Sequence, residues 1–89
     1  MDARTFCRSV MHEYERQWSQ ASGHAVRHPL RLKMDRLQEW CDRNPSGDEL
    51  HLLLIEGAAS EDVGVALLSV ELAPLWESVQ AGRPLGFHP

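Results

Sequence analysis

Leu50-His51-Leu52-Leu53-Leu54-Ile55-Glu56-Gly57, followed after a short polar break by Val63-Gly64-Val65-Ala66-Leu67-Leu68-Ser69-Val70-Glu71-Leu72, is the stretch whose reading decides the fold. A continuous apolar run of this length suits a buried strand as well as a helix, and periodicity alone does not separate them. Val63, Val65 and Leu67 alternate as a strand would, which allows a hairpin over residues 50–72 and an α+β fold. The phase slips at Leu68, however, and the local punctuation favours helices. Ser46 stands three residues before Glu49, the spacing of a capping box, and opens a short helix over about Gly47–Glu56 that Gly57 closes. Ser60-Glu61-Asp62 supplies a polar cap and two acids for the positive end of a further helix over about Glu61–Ala81. Pro74 is expected to kink or break that helix near Ala73.

Working outward, residues 2–20 form a clear amphipathic helix. Phe6, Cys7, Val10, Met11, Tyr14 and Trp18 fall within an arc of about 140° at 100° per residue, and Arg8, His12, Glu15, Arg16 and Ser19 fill the opposite side. Gly23 is expected to end it in a left-handed conformation. His24 to Pro29 reads as a loop, with Pro29 in the first turn of a second helix from Leu30 to about Asn44. Leu30, Met34, Leu37, Trp40 and Cys41 share one face of that helix, while Leu32 falls on its polar side. Asn44-Pro45-Ser46-Gly47 breaks the chain. Residues 83–89, beginning Arg83-Pro84-Leu85-Gly86-Phe87, are a tail that cannot continue a helix. The expected architecture is therefore an all-α bundle of four helices, one domain over residues 1–82 followed by the tail.

The last helix is apolar on two sides. Val63, Leu67 and Val70 lie on one; Val65, Leu68, Leu72, Leu75, Trp76 and Val79 cover another. A helix of that kind must be buried twice, so Val65, Leu68, Leu72, Leu75, Trp76 and Val79, with Leu32, are expected to hold a partner, with Trp76 as the anchor of a homodimer.

Composition is that of an ordinary globular domain, 43% hydrophobic and 25% charged over 89 residues with a net charge of −4. No apolar stretch is long enough to span a bilayer and no signal-peptide core follows Met1-Asp2-Ala3-Arg4, which gives the expectation of a cytoplasmic protein without a membrane. Cys7 and Cys41 then read as free thiols. Charge is uneven. Residues 1–45 carry eight basic against six acidic side chains, whereas residues 46–89 carry Arg83 against seven acids. Arg27, Arg31, Lys33 and Arg36 form the one basic cluster, suited to an acidic protein surface, such as that of a second copy, rather than to a phosphate backbone, for which the chain as a whole is too acidic.

No chemical motif is present: no nucleophile elbow, no phosphate-cradling glycine loop and no His-Glu-x-x-His. His24 and His28 have the i, i+4 spacing of metal ligands, but a loop between Gly23 and Pro29 does not present them together, and no third ligand is near. His12-Glu13 resembles the phosphoacceptor pair of histidine kinases in two residues alone; Tyr14-Glu15-Arg16 follows where that family has Arg and Pro, so His12 reads as part of a solvated face. No cofactor and no metal are called for. The expected function is a non-catalytic protein-binding module, such as a small bacterial regulator of the anti-activator type that binds a transcription factor, or an adaptor. Alternatives are a nucleic-acid binder using Arg27–Arg36 and a small enzyme or metal-binding bundle using His24, His28 or His51.

Overall fold

The computed structural model describes residues 1–87, and every regular element among them is an α-helix: α1 (Ala3–Gln20), α2 (His24–Arg43), α3 (Gly47–Gly57) and α4 (Val63–Gln80). The decisive stretch is two helices joined by a turn, and their starts explain why. Ser46 Oγ accepts the Glu49 N–H at 3.2 Å, opening α3. Asp62 Oδ1 accepts the Val65 N–H at 3.0 Å, opening α4, while Ser60 Oγ holds the Asp62 N–H at 3.1 Å. The cap of α4 is thus Asp62 and not Ser60, and Glu61 lies before the first turn instead of within it. Each cap satisfies an N–H that a helix leaves orphaned, a gain that a strand at the same place forgoes.

Glycine ends a helix where the backbone needs a positive φ, but at a different place from the one expected. α1 stops at an extended Ala21, and Gly23, at φ +87°, precedes α2. The left-handed closure belongs to α4, where Gly82 has φ +86°, its N–H reaches the Val79 carbonyl at 3.1 Å and the Arg83 N–H reaches that of Ser78 at 3.1 Å. This six-to-one and five-to-two pattern satisfies the last carbonyls. Asn44, left-handed at φ 51°, closes α2. One further expectation is corrected. α2 begins at His24, so His24 and His28 are helical and Pro29 sits in the second turn. Of the two outcomes expected at Pro74, a break does not occur, since α4 continues through it; that proline is exposed, on the side where the Val70 carbonyl it leaves unbonded can be met by water.

α4 is the centre of the packing. α2 and α3 both lie along it, and α1 packs on α2 while reaching α4 through side chains, with the Phe6 and Trp76 ring centroids 5.0 Å apart. Phe6, Val10, Tyr14, Leu37, Leu50, Leu68 and Leu72 are fully buried, each large apolar side chain contributing about 1.5–3 kcal/mol. Two helix crossings are set by small residues. A Cβ on Gly57 would lie 2.0 Å from Ser69 Oγ, and one on Gly64 would lie 2.8 Å from the Leu32 carbonyl oxygen. Leu85 and Phe87 of the tail return to the body, Phe87 standing edge-on to Tyr14 at 6.5 Å.

Ser69 is wholly buried and its hydroxyl has no hydrogen-bond partner, so its role at the α3 crossing is its size. Gly57→Ala should cost about 1–3 kcal/mol through overpacking, whereas Ser69→Ala, which removes an unpaired hydroxyl, should leave stability equal or raised. Urea denaturation of the two variants checks both signs.

Candidate protein-binding face

The charged side chains are placed first by the N-terminal half's surplus of cations and the C-terminal half's surplus of acids. The basic cluster of α2 turns out to be answered inside the molecule. Arg27 donates to the Ala21 carbonyl at 3.0 Å and to that of Trp18 at 3.4 Å, with its guanidinium 4.7 Å above the Trp18 ring, so it closes the end of α1. Arg31 pairs with Asp35 at 3.4 Å. Arg36 pairs with Asp62 and with Glu39, each at 2.9 Å. Lys33 donates to both oxygens of Glu71 at 3.1 and 3.2 Å and lies 4.9 Å over the Tyr14 ring. The buried Tyr14 hydroxyl donates to the same carboxylate. The expected cationic patch for a second molecule is in this way largely engaged by the chain's own acids.

Burial and these contacts shift the titration of Tyr14 and of Asp62. Tyr14 is pushed well above the usual phenol range, first by burial and then by its bond to Glu71, so the hydroxyl keeps its proton and remains a donor. Asp62 is held below the ordinary carboxylate range, first by the Val65 N–H it accepts and also by Arg36.

The residues expected to hold a partner are mostly core. Leu68 and Leu72 are fully buried, Trp76 and Val79 are 5% and 6% exposed, and Val65, Leu75 and Leu32 are half-buried. Leu72 and Trp76 therefore support the fold of one chain, and α2 and α3 already occupy the side that was expected to be free. The open side of α4 is the other one. Val63, Leu67 and Val70 are 60%, 40% and 64% exposed, and on α3 Leu52 and Ile55 are 55% and 58% exposed. Val63, Leu67 and Val70 follow one another at i, i+4 and i+7, so they form one stripe. Ile55 and Ala58 border a shallow groove with Ala73 and Trp76 of α4, and Ala73 is i+3 from Val70. The apolar strip thus continues from α4 across the groove to Ile55, with Leu52 one turn along α3.

The groove between α3 and α4 is bordered by Glu77 and by no Lys or Arg, whereas on another side of α3 Arg43 shares a hollow with Leu52, Glu49 and Glu56. Residues 44–82 contain no Lys or Arg. Of the acids in that span, Asp62 and Glu71 are held by α2; Asp48, Glu49, Glu56, Glu61 and Glu77 are exposed and make no ion pair among the described residues.

Other candidates are weaker on geometry. The His24 and His28 rings stack with centroids 5.0 Å apart, closer than a loop would bring them, yet among the described residues no three His, Cys, Asp or Glu side chains are grouped to hold a metal, and protein sites draw on three or four. His51 lies at the α3–α4 groove, far in sequence from that pair. The thiol of Cys7 is buried and pushed up to about 12 by that burial, and that of the half-buried Cys41 is also raised, chiefly by burial; neither has the character of a reactive nucleophile. Among the described residues no helix is long and apolar enough to cross a membrane. Comparison with protein-family models, with curated proteins and with solved structures finds no match.

Which side of α4 is core has a direct test. Leu72→Ala and Trp76→Ala should each cost about 2–5 kcal/mol in urea unfolding, while Leu67→Ser and Val70→Ser should stay within about 0.5 kcal/mol of the parent. A second test concerns acid. Because the carboxyl of Asp62 is lowered in the folded chain, its stabilisation is complete above the unfolded value of about 3.9 and is lost as pH falls through the folded value. Asp62→Asn keeps the cap and removes the charge, so its melting temperature should depend less steeply on pH below about 4 than that of the parent.

Proposed function

We propose that this chain is a non-catalytic protein-binding module, of the regulator or adaptor kind, working through the outward face of α3 and α4. The observation that carries the reading is the stripe Val63, Leu67 and Val70 of α4, with Ile55 beside the neighbouring groove, which the chain's own helices leave in water although the other apolar side of α4 is enclosed. Exposed apolar surface that runs on from residue to residue, and is edged by charge, is the usual mark of a surface that meets another protein. A protein partner is favoured over a nucleic acid by the fate of Arg27, Arg31, Lys33 and Arg36, whose contacts within the chain compete with phosphate. Two free thiols suit a reducing compartment such as the cytoplasm.

A photo-crosslinking residue placed at position 67 or 70 tests the reading in the native cell. Discrete protein adducts are expected from those two positions and not from His12 or Glu15 on the polar side of α1. Adducts from all four positions alike, or from none, would overturn it.

A further inference from the structure

We infer that the α3–α4 face takes a basic amphipathic helix of another protein, an inference that rests on the binding role just proposed and specifies its partner. The shape comes from the two helices. Gly47 of α3 lies against Trp76 and Gly57 against Ser69, so α3 and α4 run antiparallel with a groove between them. Such a groove accommodates a third helix by the same side-chain interdigitation that packs the first two, with anchors on the incoming helix at i, i+3 or i+4, and i+7. From Val63 to Ala73 the strip is about 15 Å long at 1.5 Å per residue, the length that three turns of an incoming helix cover.

The charge comes from the rim. Asp48, Glu61 and Glu77 are exposed and unpaired among the described residues, Glu77 lines the groove itself, and no Lys or Arg is among the residues that line it. A helix with Lys or Arg beside its apolar stripe would answer those acids and be steered to the face by their field. A second copy of this chain fits worse. Antiparallel pairing through the Val63–Pro74 stripe brings Glu61 of one copy beside Glu77 of the other, and parallel pairing sets each acid beside itself. An anionic membrane or a nucleic acid meets the same repulsion.

The test uses the full chain and two labelled synthetic helical peptides of 18 residues with one leucine pattern, their polar positions filled by Lys in one and Glu in the other. Fluorescence anisotropy should show binding of the Lys peptide that weakens as salt rises from about 50 to 300 mM. The Val63→Ser, Leu67→Ser, Val70→Ser triple variant should lose about 30-fold or more in affinity, as loss of interface anchors does. Glu61→Gln with Glu77→Gln, which leaves the apolar strip intact, should weaken the Lys peptide and flatten its salt dependence. Equal or tighter binding of the Glu peptide, or a self-association in sedimentation that the triple serine variant abolishes, would overturn the basic partner and leave the binding face standing. Indifference of all binding to the triple serine variant would overturn both.

Discussion

The rotation of α4 about its own axis is the constraint on which the remaining structure depends. Apolar residues surround that helix on two broad sides, so burial by itself favours several settings almost equally. Polar contacts and small side chains choose among them. Glu71 is held by Lys33 and by the Tyr14 hydroxyl, and Asp62 by Arg36. Gly64 and Ser69 are the positions where α2 and α3 come closest. Turning α4 by a third of a turn would bury Val63, Leu67 and Val70, but it would carry Glu71 away from Lys33 and push larger side chains into crossings sized for a hydrogen atom and a hydroxymethyl group. Partly buried polar contacts between helices favour one arrangement in this manner even when their net contribution to stability is modest.

The same contacts account for the distribution of charge. A surplus of cations in the first half of the chain and of acids in the second invites pairing between halves, and α2 makes that pairing with the start and middle of α4. It draws on only two of the acids. What is left is a molecule whose α3–α4 side is apolar and anionic together, and the composition of the two halves shows the imbalance without showing which acids are spent.

Much of the fold was legible because it is written locally. Ser46 announces α3, the 3.6-residue rhythm of Phe6, Val10 and Tyr14 announces α1, and Asn44 followed by Pro45 announces the end of α2. Errors arose where two neighbouring signals compete. Ser60 and Asp62 can each cap, and the structure uses both in series. Gly23 can close α1 or open α2, and it does the latter. His24 to Pro29 resembles a loop in sequence because proline commonly marks a boundary, although α2 carries Pro29 in its second turn. For the site, the helical wheel displayed both apolar sides of α4 but not which one the chain would cover. The signal was there in Gly64 and Ser69, small residues that flank the Val65, Leu68 and Leu72 side and so mark where other helices approach. The pairing of Lys33 with Glu71, 38 residues apart, has no local trace.

The returning tail has a mechanical consequence for the whole bundle. Phe87 roofs Tyr14, and the crevice beneath the tail is bordered by Glu71. Removing the Phe87 ring would open that crevice to water beside the Tyr14 hydroxyl and Glu71, the pair that helps to hold α4 in its setting. A segment outside the four helices thus shares in keeping the inner side of α4 inward.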